Sequence, residues 1–365
     1  MSDNKSVSSQ LRIIFAIASK DLIDALKNRT IISIVLGVFF VVLASRAMSF
    51  VMKFQQTQTA VIAGQDASQF VEQVGESDDF RLGEVNDIAA LQEALATSAV
   101  PYLGIELPND WETKLASHEA LEATGYVQHW LSRSESQELI ASFEQYLSQA
   151  LQVSVEINAE NNLVYPSLEF SGSPFMISIG LVIAVMMIGL VLVPILMLDE
   201  RDQRTIDVLL ISPASYTHIV LGKALAGIIY SLTAVAILVI VNANYIVQWD
   251  LMIVTVLLGT LLTVLIGLFL GTVFDQATTM NMWMGILVLP LLAPIFLRQF
   301  NSGALPAWVE AILPWIPSTA LDELFRISFV QGSYPARVTA DLGLLAVGIV
   351  VMIAINTWRV RKLTA

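Results

Sequence analysis

The sequence contains no cysteine and few charged residues, and both absences limit what the protein can be. Without cysteine there can be no disulfide, no thiol nucleophile and no cysteine-ligated metal. Charged residues make up only 14% of the chain, whereas hydrophobic residues make up 55% and the mean hydropathy is +0.68. Several apolar runs reach the roughly 20 residues that a helix needs to cross a bilayer. This composition predicts a polytopic membrane protein.

The apolar runs are continuous and lack the alternation of polar and apolar residues that a membrane β-barrel requires, so helices are the expected spanning element. Six runs are long enough, at about 30–52, 175–198, 219–245, 251–274, 282–297 and 341–358. We therefore predict a mainly α, polytopic membrane protein with six transmembrane helices.

The negative charge of the chain is concentrated between the first two spans. Residues 53–174 hold 4 Lys/Arg against 19 Asp/Glu, which gives this region a charge of −15. The net charge of the whole chain is −13, so the remaining residues together carry +2. The pattern predicts a small α/β domain, with strands near 59–63, 102–107 and 121–130 and helices near 87–97 and 134–150. Since the acidity belongs to a soluble insert, it does not indicate a nucleic-acid partner or an affinity for anionic lipids.

The insert shows no catalytic or metal-binding pattern. His118 and His129 have no metal-ligand spacing with other histidines, and no nucleophile, base and orienting group can be assembled. We predict no catalytic residue, no metal site and no cofactor bound by this chain. The insert is expected to act as a dock for substrate or for a periplasmic partner.

Residues 1–29 carry basic residues and apolar residues at helical spacing, which predicts an amphipathic helix on the cytoplasmic face of the membrane. Positive charge also lies in the loop after the second span, which carries Arg201, Arg204 and Lys223, and in the tail at 359–362. Because positive residues mark cytoplasmic segments, both termini are predicted inside, in the cytoplasmic (inner) membrane. The acidic insert and a proline-rich segment at 300–335 then lie outside. That segment predicts two short interfacial or re-entrant helices.

A charged segment at 199–215 connects the second and third predicted spans. Its first six residues include five charged ones, so it cannot lie in hydrocarbon, yet apolar residues follow at once. On a helix, Ile206, Leu209, Leu210 and Pro213 would form one apolar edge. Taken alone, the segment fits either an amphipathic element at the membrane surface or a solvated connection between two helices.

Three stretches, in order, resemble the ABC-2 type exporter permeases, in particular the NatB-like branch with an extracytoplasmic domain between the first two spans. They are Ser19-Lys20-Asp21-Leu22 through Asn28-Arg29-Thr30, residues 200–215 (ERDQRTIDVLLISPAS) followed by Leu221-Gly222-Lys223, and residues 305–326. One departure is Arg204, which stands where the family usually has glycine.

The resemblance implies a half-transporter that pairs with a second permease copy or a paralogue, in which each permease docks on a separate ABC ATPase subunit. ATP and Mg²⁺ would bind to that ATPase. The implied ATPase-coupling residues are Glu200, Arg201, Asp202, Arg204, Thr205, Asp207, Leu209, Leu210, Ser212 and Pro213. Lys20, Asp21 and Arg29 belong to the implied cytoplasmic interface helix.

The chain itself lacks a phosphate-binding loop. At its only Gly-Lys pair, Thr217 stands where a P-loop needs glycine and Ala224 where it needs serine or threonine. An ion-coupled carrier or channel would need ionisable residues at mid-membrane, and spans two to six show none there. A membrane-tethered ligand sensor would make no use of the charged segment. The sparse hydroxyls favour an amphipathic or lipid-like substrate, a drug or a peptide, with sodium as the alternative.

Overall fold

The structure, a computed structural model, describes residues 3–25, 27, 32–33, 36–37, 39–40, 57–75, 77–98, 100–160, 162–168, 173–202, 215–300 and 305–364. These residues form an N-terminal helix, an α/β insert and a bundle of long apolar helices. The predicted first span, including Arg46, falls largely outside them. The count of six spans and the proposed domain boundaries therefore stay predictions.

Helix α1 (Asp3–Ala25) covers most of the segment for which the sequence predicts an amphipathic helix. Ile17 and Ala18 are buried, while Leu11 and Phe15 are exposed. The buried side packs along the third predicted span, where a Cβ added to Gly222 would lie 2.7 Å from the Ile17 side chain. The glycine thus lets the two helices approach closely.

The insert alternates strands and helices. Their order is β1 (Gln58–Ala63), α2 (Ala67–Val74), β2 (Phe80–Val85), α3 (Ile88–Thr97), β3 (Tyr102–Glu106), α4 (Trp111–Ala116), β4 (Leu121–Gln128), α5 (Arg133–Leu151), β5 (Val155–Asn158) and β6 (Leu163–Val164). The three strands and two helices predicted from the sequence are confirmed. The remaining elements were not predicted, because they are short or lack a clean apolar period.

Helix starts in the insert follow from local capping chemistry. The Asp87 side chain accepts a hydrogen bond of 2.7 Å from the backbone N–H of Ala90, which caps α3. Ser132 and Glu135 form a reciprocal capping box at the start of α5. These bonds satisfy amide groups that the first helical turn leaves without partners.

The sheet has the order β2-β1-β3-β4-β5, with β6 paired to β4. Strand β1 is parallel to β2 and β3, β3 is antiparallel to β4, and β4 is parallel to β5 and β6. Apolar side chains fill both faces: Ile62, Phe70 and Phe143 lie in the larger core, and Leu91 and Leu95 in the smaller one. The insert therefore has its own hydrophobic interior.

The membrane bundle begins with a helix in two parts, α6 (Ser173–Met187) and α7 (Val193–Asp202), joined by a π-helical turn (Ile188–Leu192). The other elements are α8 (Tyr216–Val241), α9 (Trp249–Val273), α10 (Ala277–Phe300), α11 (Ala307–Ile312), α12 (Pro317–Phe329) and α13 (Pro335–Thr364). Short 3₁₀ turns at Ala243–Tyr245 and Leu313–Trp315 follow α8 and α11.

Five helices in the described part of the chain are long and apolar enough to cross a membrane. They are Phe175–Leu198, Thr217–Val241, Trp249–Val273, Thr278–Arg298 and Pro335–Lys362. They correspond to the second to sixth predicted spans, and the last two begin earlier than predicted. The α6–α7 span is the centre of the bundle, since 89% of its apolar window is buried against 11% for α13.

Helix α9 packs against the α6–α7 span through a stripe of small residues at four-residue intervals. Gly259, Thr263, Gly267 and Gly271 form this stripe. A side chain added at Gly267 would collide with the carbonyl oxygen of Gly189, in the π-helical turn. Small residues are the usual means by which membrane helices approach closely, because apolar side chains alone give no preference over lipid.

The proline-rich segment forms the two short helices that the sequence predicts. Helix α11 has no buried residue, whereas α12 is buried along most of its length from Ser318 to Phe329. Helix α12 packs against α6, α9, α10 and α13 at the end of the bundle that carries the insert, which we call the insert end. The opposite end, where α7 finishes and α8 begins, is called the far end.

Candidate functional site

The charged segment starts as a continuation of the central span. Helix α7 runs on to Asp202, so the backbone of Glu200, Arg201 and Asp202 is helical. Residues 203–214 lie outside the described part of the chain. The predicted coupling residues there therefore stay predictions; they are Arg204, Thr205, Asp207, Leu209, Leu210, Ser212 and Pro213.

The described part of the chain resumes at Ser215, which caps helix α8. The Ser215 hydroxyl and the Nδ1 atom of His218 lie 2.8 Å apart, and the backbone N–H of Ser215 donates to the same ring nitrogen at 3.0 Å. This reciprocal cap fixes where α8 begins. Ser215, the last residue of the charged segment, is therefore fixed at the start of α8.

A buried ion pair, which we call the far-end pair, lies beside the charged segment. Lys223 Nζ is 3.2 Å from Asp21 Oδ2, and the two side chains are only 1% and 4% exposed. Lys223 also donates a hydrogen bond of 2.6 Å to the carbonyl oxygen of Leu196. One ammonium group therefore connects α1, α7 and α8.

The far-end pair corrects the assignment of Lys223 to a basic cytoplasmic loop. Lys223 lies within α8 and is buried, so its charge faces Asp21 instead of solvent. Lys20, the neighbour of Asp21, is exposed, while Arg29 lies outside the described residues. The pair joins residues 202 positions apart, and sequence spacing alone gave no signal for it.

A second buried group, which we call the insert-end cluster, is centred on Asp322 in α12. The Ser178 hydroxyl on α6 donates a hydrogen bond of 2.6 Å to the Asp322 carboxylate. Arg326, one turn later in α12, has a guanidinium nitrogen 4.0 Å from the same carboxylate. Arg326 also donates to the carbonyl oxygen of Leu168 and lies over the Phe175 ring.

The insert-end cluster extends to two more helices through Glu323. Its carboxylate lies 3.1 Å from Arg298 of α10 and 3.6 Å from Arg337 of α13. Arg298, Arg326 and Arg337 are positive residues on the side of the membrane that is predicted to lie outside. In the structure all three lie within 4.0 Å of carboxylates, so they balance local acidity. The sequence signal for the cluster is the group of charged residues Asp322, Glu323 and Arg326 in a segment rich in apolar residues.

The insert contacts the bundle through aromatic stacking. The Trp130 and Tyr245 rings stack with centroids 5.6 Å apart, and Trp130 is counted within the bundle's apolar core. Beside it, a cavity of about 380 Å³ is lined by His129, Ser132 and Arg133 of the insert and by Asn244 of the bundle. The ring of His129 stacks on Tyr165, and burial lowers the pKa of His129.

An open apolar cavity of about 620 Å³ lies between α6 and α10. Its lining residues are apolar and include Met187, Met284, Val288, Leu292 and Phe296. Such a surface can hold an acyl chain or an aromatic group, and none of these side chains carries a charged ligand for a hydrated ion. Within the described residues, no three His, Asp or Glu side chains group closely enough to hold a metal ion.

Comparison with models of protein families matches residues 29–358 to the family described as ABC-2 family transporter protein. A search of curated proteins found no match. The matched region contains the insert, the first four described spans, the fifth span as far as Trp358 and the whole insert-end cluster. Of the far-end pair it contains Lys223 but not Asp21.

Proposed function

Because the chain belongs to the ABC-2 family of transporter proteins, we propose that it is the membrane-spanning permease subunit of an ATP-driven exporter. The observation that carries this proposal is the course of the most buried span. Helix α7 runs without interruption from the centre of the bundle into the charged residues at 200–202. A force applied to that charged segment would act directly on the core of the membrane domain.

A separate ABC ATPase subunit would supply the energy, with ATP and Mg²⁺ bound there. The permease has no phosphate-binding loop of its own, so it needs such a partner. We propose that Glu200, Arg201 and Asp202 begin the docking surface, and that the apolar residues Leu209 and Leu210 anchor it. Anchors buried in an interface usually contribute more binding energy than charges at its rim.

We propose six spans, with both termini in the cytoplasm of a cell whose cytoplasmic membrane holds the protein. Helix α1, the charged segment and the basic end of α13 (Arg361 and Lys362) all lie at the far end of the bundle, which supports a cytoplasmic far end. The insert would then be extracytoplasmic, and could meet substrate or a periplasmic partner.

The proposed substrate is amphipathic or lipid-like, a drug or a peptide. The apolar cavity between α6 and α10 supports this choice, because its lining suits a hydrocarbon group. We propose further that two permease copies, or a copy and a paralogue, form the complete transporter. Helix α13 exposes apolar residues such as Val347 and Val350, which lipid or a second permease would cover.

The decisive experiment is co-purification with candidate ABC ATPase subunits, starting with any that a neighbouring gene encodes. The wild-type pair should bind in detergent, and ATP hydrolysis should rise when the permease is present in lipid. The double variant Leu209→Ala with Leu210→Ala should weaken binding at least tenfold, whereas Glu122→Ala, at an exposed position of the insert, should bind normally. Failure of the wild-type pair to bind would reject the ATPase-driven mechanism.

A further inference from the structure

The central span is interrupted at one place only within its described length. Between α6 and α7, the residues Ile188–Leu192 form a π-helical turn, and all five are buried. A π turn has a wider, less regular hydrogen-bond pattern than an α-helix and occurs frequently at functional sites. Pro194 follows two residues later and has no N–H to donate, so the helix is weakened on both sides of Val193.

Helix α9 supports this turn through a glycine and a threonine. Gly267 of α9 touches the backbone at Gly189, and the Thr263 hydroxyl lies 3.2 Å from the carbonyl oxygen of Val185. Thr263 also lies within hydrogen-bonding distance of two carbonyls in its own helix. Its hydroxyl can therefore change partners without losing a hydrogen bond.

The two halves of the span are held by different groups. Below the turn, α7 is held through Leu196 by Lys223 and the far-end pair. Above the turn, α6 is held through Ser178 by Asp322. Ser178 lies ten residues before the turn, or about 15 Å along the helix at 1.5 Å per residue. A movement of one half therefore need not disturb the contact that holds the other.

Of the two attachments, the one between Ser178 and Asp322 is the easier to open, because other contacts hold α12 in place. Helix α12 itself is braced by Glu323 to α10 and α13, and the Gln248 amide before α9 donates to the carbonyls of Ile327 and Val330. By contrast, the Ser178–Asp322 hydrogen bond is a buried side-chain hydrogen bond between α6 and α12, and Arg326 of α12 also contacts the Phe175 ring of α6. Breaking the hydrogen bond would remove the polar attachment at Ser178, so α6 could separate from α12 more easily while α12 stays in place.

We propose that the π-helical turn is a hinge in the central span and that the Ser178–Asp322 bond is a latch, which must open for the insert end of α6 to move away from α12. The proposed function enters only through the consequence of opening the latch, namely that this movement of α6 opens the export path. The hinge itself is a property of the permease alone.

The first test uses a reversible lock in this cysteine-free chain. Ser178→Cys with Asp322→Cys should form a disulfide on oxidation. In the permease–ATPase complex in lipid, the lock should reduce permease-stimulated ATP hydrolysis at least tenfold without loss of binding, and dithiothreitol should restore it. The controls are the single variants Ser178→Cys and Asp322→Cys, in which the same oxidation should leave permease-stimulated ATP hydrolysis unchanged. Full stimulation in the oxidised latch variant would overturn the latch.

The second test needs no ATPase, so it separates the hinge from the proposed function. Spin labels on the exposed positions Met176→Cys of α6 and Ile253→Cys of α9 report the distance between their insert ends. In lipid discs, Ser178→Ala should broaden this distance distribution. Ser231→Ala, which removes another buried hydroxyl, should leave it unchanged.

The two tests give distinct outcomes. An unchanged distribution in Ser178→Ala would overturn the latch, whatever the ATPase does. A broadened distribution together with a failure to bind any ATPase would support the hinge and reject the proposed function. A distribution that broadens equally in Ser231→Ala would show general loosening of the bundle and would also overturn the latch.

Discussion

Individual buried charges determine how the far end of the bundle is held together. Lys223 and Asp21 have lost nearly all contact with water, and this desolvation offsets much of their mutual attraction. Such a pair contributes little net stability but is costly to break, since the remaining charge would be buried without a partner. The pair therefore specifies how α1 packs more than it strengthens the fold.

We predict that Lys223→Met will destabilise the protein by about 3–5 kcal/mol, because Asp21 would lose the ammonium group that faces it in a buried site. Adding Asp21→Leu to this variant should recover most of the loss. Thermal unfolding in detergent would measure both. The exposed Lys27→Met is the matched control and should unfold like the wild type; equal unfolding temperatures for Lys223→Met and wild type would contradict the prediction.

His129 is predicted to make the stability of the insert depend on pH. Burial lowers its folded-state pKa, so the unfolded chain binds the proton more readily than the folded one. The stability contributed by neutral His129 is complete above the unfolded pKa of about 6.5 and is lost as the pH falls through the lowered folded value.

Chemical denaturation between pH 7.5 and pH 5 would measure this dependence. The variant His129→Gln should lose less stability over that range than the wild type. His118, which is exposed and lies at φ +57°, supplies the control as His118→Asn, because asparagine tolerates that backbone conformation. A wild-type pH slope in His129→Gln would rule out His129 as the responsible group.

At the scale of elements, the long helices could be predicted from the sequence and the polar contacts between them could not. An apolar run is a local pattern, so Phe175–Leu198 was found to the residue. Ser178 and Asp322 are 144 positions apart, and only the packed fold shows that they meet. The π-helical turn has no such local pattern: a proline in a helix, here Pro194, predicts a kink, but the irregular turn lies just before it.

Helix α11 is predicted to lie in the headgroup region of the membrane. Trp308 and Trp315, in α11 and the 3₁₀ turn after it, are 68% and 73% exposed, and tryptophan is enriched at that depth. Lipids brominated near the headgroup should quench part of the tryptophan fluorescence. Replacing both residues by phenylalanine should remove that part, whereas Trp111→Phe, which is buried in the insert, should not. Equal losses in the two variants would exclude interfacial burial of α11.

At the scale of the whole molecule, the insert and the bundle are joined through packed side chains as well as through the chain. Trp130 stacks on Tyr245, and Arg326 bonds the carbonyl of Leu168 at the end of the insert. Both contacts lie at the insert end, close to Asp322. Movement of α12 or α6 would therefore be transmitted to the insert through these contacts.

The proposed topology predicts which surfaces an impermeant thiol reagent can reach. In intact cells whose outer membrane, where present, has been permeabilised, exposed Gln137→Cys in α5 should be labelled and exposed Arg12→Cys in α1 should not. Lysis should make Arg12→Cys reactive. Labelling of Arg12→Cys before lysis would invert the proposed orientation, and labelling of neither position after lysis would show that the thiols are shielded.

The acidic insert also acts on solutes that never touch it. Its charge of −15, carried by residues 53–174 on one end of the bundle, attracts a diffuse layer of counterions. That layer extends about 8 Å at physiological ionic strength and shrinks to about 3 Å in 1 M salt. Cations are therefore enriched, and anions depleted, in the water next to the insert end. The protein thus raises the local concentration of cations next to its insert end, and added salt weakens this enrichment.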